Sequence, residues 1–314
     1  MQQSQPVEKR STDGEALLQR AMAALDRGDI ATAAAEAQLA TDLAPDSALG
    51  WEILSLALHR GGALDQAITA GRRAIEIKPD TAEFHANLGV VLRAAGRMAE
   101  AEAAYRAALK ADPKFAPALN NLGNIARDKG QYAEAETHYR SALSANPSYA
   151  EAWHGLGIAL QRQDRYGEAE QALAKAIALR PARSDIMSDL AATLMGLQKF
   201  NEAAALLAKA VEIDPNSALA HGNLGALKLR MGHFVAAEQA TARAMALSPH
   251  EQRWVSNLGV ICKDLSRYGD AEFLFRRALA LKPDYALAHA NLLFCLNYHP
   301  DRSAEEIFAE YQRF

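Results

Sequence analysis

The chain has 314 residues, of which 50% are apolar and 23% are charged, and its formal net charge is −4. This composition is typical of a folded protein, and its acidic balance excludes a basic field for nucleic acid or an anionic membrane. No apolar run reaches the roughly 18 residues of a membrane-spanning helix. Two cysteines exclude a disulfide framework, and the scattered histidines show no metal-ligand spacing. We therefore expect no metal and no cofactor, and a reducing cytoplasmic environment.

The chain begins with a polar segment, residues 1–13, which lacks the apolar stretch of a secretory signal. We interpret this segment as a flexible leader. Thr12 and Glu15 have the spacing of a capping box, in which two side chains accept hydrogen bonds from each other's backbone N–H groups. This spacing predicts that Thr12 caps the first helix.

A proline recurs at intervals of 34 residues through most of the chain. The series consists of Pro45, Pro79, Pro113, Pro147, Pro181, Pro215, Pro249 and Pro283. Thirty-four residues form one helical hairpin, and the proline stops its second helix because proline cannot continue the helical hydrogen bonding. We number each repeat so that this proline is position 32. Residues 14–285 then form eight repeats: 14–47, 48–81, 82–115, 116–149, 150–183, 184–217, 218–251 and 252–285.

Four other positions of the repeat have the same or similar residue types in most or all repeats. Positions 20 and 27 are alanine in all eight repeats, and position 8 is always alanine, serine or glycine. Small side chains at these positions favour close approach of neighbouring helices. Position 15 is glycine in five repeats and is Asp164, Gln198 or Ser266 in the others. A helix that ends at this position favours a left-handed residue there.

These positions resemble the signature of the tetratricopeptide repeat over nearly the whole chain. The resemblance implies an all-α fold, a right-handed superhelical solenoid of helix-turn-helix hairpins. It also implies that the first helix of each hairpin lines a concave groove, which binds proteins or extended peptides. The recurring residues build this fold, and we identify no catalytic or cofactor-binding residue among them.

Position 6 of the first helix points into the groove in this family, and it is asparagine five times between residues 87 and 291. An asparagine amide both donates and accepts, so a row of them can pair with the main chain of an extended peptide. The alternative is that these asparagines only bridge adjacent repeats. Neighbouring polar residues, and those that interrupt the series, complete the candidate binding residues. The full set is Asn87, Asn120, Asn121, Asn124, His154, Asp189, Asn223, Asn257 and Asn291.

Acidic residues at inner positions indicate which partner charge the groove prefers. Position 2 does not supply the clamp of lysines, arginine and asparagines with which one known variant of this fold binds C-terminal carboxylates. Instead, Glu83, Glu151, Asp185 and Asp189 favour basic or neutral peptides.

A ninth first helix begins at Ala286, and the pattern breaks at residues 297–300. Ser303 and Glu306 have the spacing of a capping box for a further helix, which we predict to run to Phe314 without a stop signal. We therefore interpret residues 286–314 as a first helix and the start of a transition helix that is cut in its middle.

The segments 85–89 and 119–123 resemble the superhelical repeats of O-linked N-acetylglucosamine transferases and of the SPINDLY-like glycosyltransferases. The segment 291–301, with 303–306 after it, resembles the junction between the repeats and the catalytic region in bacterial members of that family. This resemblance implies a scaffold that presents acceptor proteins to a catalytic region beyond Phe314. The alternative is a stand-alone adaptor for complex assembly or secretion, with no linked enzyme. Repeat arrays of this family sometimes form dimers, so the sequence leaves open whether this chain forms a homo-oligomer. Nucleic acid and membranes are not expected as partners.

Overall fold

The computed structural model describes residues 7–313, and every regular element among them is an α-helix. This confirms the predicted all-α fold of helical hairpins. The helices are α1 (Val7–Asp26), α2 (Ile30–Leu43), α3 (Ala48–Arg60), α4 (Leu64–Ile77), α5 (Ala82–Ala94), α6 (Met98–Ala111), α7 (Ala116–Asp128), α8 (Tyr132–Ala145), α9 (Ala150–Gln161), α10 (Tyr166–Leu179), α11 (Ser184–Gly196), α12 (Phe200–Ile213), α13 (Ala218–Arg230), α14 (Phe234–Leu247), α15 (Gln252–Asp264), α16 (Tyr268–Leu281), α17 (Ala286–Asn297) and α18 (Ala304–Tyr311).

Within a hairpin, a first helix with an odd number packs against the second helix that follows it, as in α5–α6 and α13–α14. The alanines at positions 20 and 27 are almost completely buried in every repeat. The glycines at position 8 also pack tightly against the second helix. A Cβ on Gly89 would be 2.6 Å from the ring of Tyr105, and a Cβ on Gly123 would be 2.7 Å from the ring of Tyr139. A larger residue at position 8 would therefore overlap the side chain at position 24 of the second helix.

The chain divides into two compact units, one ending at Gly155 and the other beginning at Leu156, inside α9. In the N-terminal unit, α1 contacts α3 and α3 contacts α5. In the C-terminal unit, α11 contacts α13, α13 contacts α15, and α15 contacts α17. Positions 2, 6, 9 and 13 of a first helix are spaced by three or four residues and share one face. We call these four positions the first-helix surface of each unit.

The second helices of the N-terminal unit line a groove of their own. A groove of about 450 Å³ separates α4 from α6, and Leu88 and Leu92 of α5 contribute to its lining. The first and second helices therefore present different surfaces in this unit.

The turn inside each hairpin has a left-handed residue at position 15. The glycines at this position have φ values from 74° to 79°. Asp164, Gln198 and Ser266 adopt the same region, with φ values of 57°, 61° and 58°. The predicted conformation is thus confirmed even where no glycine is present, although a side chain there costs about 1–2 kcal/mol.

Helix α1 begins at Val7, inside the segment that we expected to be a flexible leader. The cap predicted at Thr12 with Glu15 is therefore wrong, because both residues lie within this helix. Residues 7–13 contain no proline or glycine, so no helix breaker separates Val7 from the rest of the helix. The rest of the expected leader, residues 1–6, lies outside the described residues.

The capping box predicted before α18 is confirmed. The hydroxyl of Ser303 accepts from the backbone N–H of Glu306 at 3.2 Å, and the Glu306 carboxylate accepts from the N–H of Ser303 at 2.9 Å. Helix α18 ends at Tyr311 and does not continue to Phe314, which lies outside the described residues.

Candidate peptide-binding surface

The asparagines at position 6 lie on first helices, and all five are half-buried. Asn87 and Asn121 belong to the N-terminal unit, whereas Asn223, Asn257 and Asn291 belong to the C-terminal unit. Helical periodicity places position 6 between positions 2 and 9 of the first-helix surface. The five amides differ, however, in the groups that they already bind.

Two of these asparagines connect neighbouring first helices. Asn87 Nδ2 donates to Glu52 Oε1 at 2.5 Å, and Asn223 Nδ2 donates to the carbonyl oxygen of Ser188 at 2.9 Å. Each acceptor residue stands at position 5 of the preceding repeat. These two amides therefore bridge adjacent repeats, which is the alternative that the sequence left open.

Glu52 is a buried acid beneath the first-helix surface, with 8% of its area exposed. Burial raises the pKa of Glu52 to about 7, the hydrogen bond from Asn87 opposes this rise, and the charge of Glu83 adds to it. Glu52 Oε2 has no hydrogen-bond partner among the described residues. The carboxyl group is therefore close to the midpoint of its titration at neutral pH.

Asn121 and Asn257 are the position-6 asparagines whose amides bind no described residue. Asn291 differs from them, because its Nδ2 donates to the carbonyl oxygen of Leu287 one turn earlier, at 2.9 Å. Asn121 and Asn257 therefore keep a donor and an acceptor available on the first-helix surface, one residue in each unit.

Two further predicted residues, Asn120 and Asn124, face the interior of the N-terminal unit. Asn120 is 5% exposed, and its Oδ1 has no hydrogen-bond partner in the described chain. Asn124 Oδ1 accepts from the hydroxyl of Tyr139 at 2.8 Å. The ring of Tyr139 also fills the space beside Gly155, where a Cβ would be 2.5 Å from it. Packing by Tyr139 therefore accounts for the break in the asparagine series at Gly155.

The predicted residues His154 and Asp189 are half-buried, and both already interact with other described residues. Asp185, one of the acids expected to select a basic or neutral peptide, accepts from Arg183 Nε at 2.8 Å. The protein itself therefore neutralises part of the negative charge that the sequence places on the first helices.

The C-terminal unit has a cavity of about 600 Å³ on its first-helix surface. Asp189 and Asn223, which the sequence analysis selected, contribute to its lining. So do Arg162, Arg230 and Arg253, which that analysis did not select. Arg162 and Arg230 both stand at position 13, so a comparison of that position between repeats would have found them.

No group of three or more His, Cys, Asp or Glu side chains in residues 13–313 is arranged to hold a metal ion. Cys262 and Cys295 are free and buried. No helix in the described part of the chain is both long and apolar enough to cross a membrane.

Sequence models of protein families match most of the chain, and each is described as the tetratricopeptide repeat. The matched residues are 18–80, 78–114, 115–182, 160–221, 194–259 and 256–285. The chain is a tetratricopeptide repeat protein. As a member of this family, it is a protein-interaction scaffold. No match was found among curated protein sequences.

Several solved structures share the fold of this tetratricopeptide repeat protein. The structure of the APC/C hetero-tetramer Cut9–Hcn1 is 17% identical, with a TM-score of 0.70, and the match covers 89% of this chain and 55% of that chain. PilF of Pseudomonas aeruginosa is 22% identical, with a TM-score of 0.58 and coverages of 66% and 94%. PilW, a type IV pilus biogenesis factor, is 24% identical, with a TM-score of 0.59 and coverages of 66% and 96%.

At these identities the similarity shows the fold alone. The chain spans little more than half of the Cut9–Hcn1 chain that it matches. None of these three structures is named as a glycosyltransferase. The tetratricopeptide repeat is therefore confirmed, whereas the narrower resemblance to O-linked N-acetylglucosamine transferases is not supported by these matches.

Proposed function

We propose that this tetratricopeptide repeat protein is an adaptor that binds an extended segment of a partner protein along its first-helix surfaces. The observation that carries this proposal is the pair of amides at Asn121 and Asn257, which bind no described residue. The main chain of a polypeptide presents a donor and an acceptor at nearly every residue. Amides on first helices suit such a main chain without requiring a particular side-chain sequence.

Assembly of a protein complex is the role that the comparisons favour. Cut9–Hcn1 is a hetero-tetramer, and PilW is named as a pilus biogenesis factor. The second candidate, acceptor recognition for a protein glycosyltransferase, depends on the segments 85–89, 119–123 and 291–306. The first of these segments contains Asn87, whose amide already bridges two repeats. We therefore favour the adaptor.

Mass spectrometry of a complex purified from the source cells separates these two roles. A partner that is recovered in fixed stoichiometry, with no added sugar, supports the adaptor. A partner whose glycosylation is lost in an Asn121→Ala variant supports acceptor recognition instead.

Binding of defined peptides tests the surface itself. Peptides are selected from a random display library against the full chain, and their affinities are then measured for variants. We expect Asn121→Ala with Asn257→Ala to weaken binding by roughly tenfold, since each lost hydrogen bond contributes about 0.5–1.5 kcal/mol. Asn201→Ala is the matched control, because Asn201 is an exposed asparagine on the second helix α12. Equal affinity of the double variant and the control variant would contradict the proposal.

The bridging asparagines provide a second control. Asn87→Ala and Asn223→Ala remove hydrogen bonds within the protein, so we expect them to lower the melting temperature and to leave peptide affinity nearly unchanged. If these variants abolish peptide binding while the protein stays folded, the division into bridging and binding amides is wrong.

A further inference from the structure

Three arginines of the C-terminal unit line the cavity of about 600 Å³. Arg162 is exposed and makes no side-chain hydrogen bond or ion pair with any described residue. Arg230 donates from Nη1 to the carbonyl oxygen of Met195 at 3.2 Å. Arg253 lies over the ring of Trp254, with 4.1 Å between its guanidinium carbon and the ring centroid. Within residues 13–313, whose side chains the structure describes, none of the three guanidinium groups pairs with a carboxylate.

Arginines on the second helices of the N-terminal unit behave differently. Arg73 pairs with Glu76 at 2.8 Å, and Arg140 pairs with Glu136 at 2.9 Å. A guanidinium group carries five N–H donors in one plane and binds a carboxylate through two parallel hydrogen bonds. In a chain of net charge −4, three guanidinium groups without a carboxylate partner lie around one cavity, and their combined field favours an anionic ligand there.

A glycine and a tyrosine shape this cavity between the arginines. Gly196 occupies position 13 in the repeat between those of Arg162 and Arg230, and a Cβ there would be 2.7 Å from the ring of Tyr166. The hydroxyl of Tyr166 donates to Asp164 Oδ1 at 2.9 Å, which fixes the ring as one wall. The absence of a side chain at Gly196 therefore leaves the space that the ring of Tyr166 occupies.

Acidic and apolar side chains complete the lining. Asp164 and Asp189 reduce the formal charge of the lining to +1, because three arginines face two aspartates. Ile158 and Leu219 provide apolar surface beside the charges. A ligand that fits this lining carries negative charge, which pairs with the guanidinium groups, and at least one apolar group.

We propose that this cavity binds an acidic extended segment of a partner protein, whose aspartate or glutamate carboxylates pair with Arg162, Arg230 and Arg253. An apolar side chain of the same segment contacts Ile158 and Leu219. This inference rests on the proposed function, since it assigns a partner chemistry to the first-helix surface of the C-terminal unit. It also reverses, for that unit, the preference for basic or neutral peptides that the sequence alone indicates.

A labelled peptide of alternating glutamate and alanine, with one leucine, tests the proposal against a matched peptide with glutamine in place of glutamate. The full chain is titrated into each peptide, and fluorescence anisotropy reports binding at low and at high salt. We expect the glutamate peptide to bind at least about tenfold more tightly, because its hydrogen bonds are charge-assisted. This advantage shrinks at high salt, since the arginines are exposed to solvent.

Two triple variants separate the cavity from a general effect of charge. Replacing Arg162, Arg230 and Arg253 by glutamine should reduce binding of the glutamate peptide to the level of the glutamine peptide. The control replaces Arg73, Arg106 and Arg140 by glutamine, which changes the net charge equally on exposed second-helix residues. Circular dichroism and melting temperature confirm that both variants fold. An equal loss of affinity in the two triple variants would overturn the proposal.

Replacing an aspartate of the cavity should strengthen peptide binding, whereas replacing the arginines should weaken it. Asp164→Asn removes a negative charge near the guanidinium groups, and asparagine adopts the left-handed conformation of this turn. We expect this variant to bind the glutamate peptide about twofold to fivefold more tightly, because a repulsion is removed. Weaker binding by Asp164→Asn contradicts the proposal.

Three further outcomes bear on this inference and on the proposed function. If display-selected peptides bind through Asn257 but the glutamate peptide does not bind, the acidic ligand is wrong and the adaptor stands. If neither kind of peptide binds the folded chain, both proposals are wrong. A phosphoserine peptide that binds while the glutamate peptide fails would replace carboxylate by phosphate and also overturn this inference.

Discussion

The ring of Tyr139 occupies the space that a side chain at residue 155 would need. A Cβ on Gly155 would lie 2.5 Å from two atoms of that ring, and the same ring lies against Gly123 on the preceding first helix. Its hydroxyl donates to Asn124. One buried tyrosine of α8 thus packs against two first helices of the N-terminal unit and explains a missing asparagine in the series.

Restoring asparagine at this position should damage the fold. We expect Gly155→Asn to lower the free energy of unfolding by about 1–3 kcal/mol, because the new side chain overlaps Tyr139. Urea denaturation measures this change. Gly167→Asn is the control, since a Cβ on Gly167 meets no atom within 4 Å. If the two variants are equally stable, the packing explanation for Gly155 fails.

The left-handed turn residues predict a stabilising substitution. Gln198 has a φ of 61°, a conformation that glycine adopts without the steric cost of a side chain. We expect Gln198→Gly to raise the free energy of unfolding by about 0.5–1 kcal/mol, because the relieved strain exceeds the added entropy of the unfolded chain. The reverse change, Gly130→Gln, should destabilise by a similar amount, since Gly130 has a φ of 77°. Thermal unfolding tests both changes, and a lower melting temperature for Gln198→Gly would refute the argument.

The burial of Glu52 predicts a dependence of stability on pH. Burial raises the pKa of Glu52 in the folded protein from the ordinary 4.5 to about 7. The free energy of unfolding therefore decreases as the pH rises through this interval, because the charged carboxylate is less stable in the folded protein than in the unfolded chain. We expect Glu52→Gln to be more stable than the wild type by about 2–3 kcal/mol at pH 8, and to lose most of this advantage near pH 4.5. The glutamine keeps an oxygen that accepts from Asn87.

Denaturation with urea at both pH values measures this difference between the variant and the wild type. Glu15→Gln, which alters an exposed acid on α1, should show no comparable dependence on pH. If Glu52→Gln changes the free energy of unfolding equally at both pH values, Glu52 does not titrate in the folded protein as its burial requires.

The sequence predicted the fold well because each hairpin is specified locally. The 34-residue spacing of proline, the paired alanines and the small residue at position 8 all describe contacts between neighbouring helices. The start of α1 was the exception. A capping-box spacing at Thr12 can occur inside a helix, and only the structure shows that the helix begins at Val7.

The candidate surface was predicted less completely, because its chemistry depends on contacts between residues about 35 positions apart. The sequence places Asn87 and Asn121 at the same position of successive repeats, but it does not show that Glu52 receives the amide of Asn87. The grouping of Arg162, Arg230 and Arg253 likewise combines two different positions from three repeats. Their missing ion pairs become visible only when the positions of all nearby carboxylates are known.

Site-specific photo-crosslinking tests the central claim most directly. A photoreactive phenylalanine analogue replaces Asn121 or Asn257 on the first-helix surfaces, and Asn201 or Val235 on second helices, where Val235 is 70% exposed. A labelled display-selected peptide is then irradiated with each full-length variant. Our account predicts crosslinks from Asn121 or Asn257 and none from Asn201 or Val235. Crosslinks from the second-helix positions, with none from the first-helix positions, would contradict it.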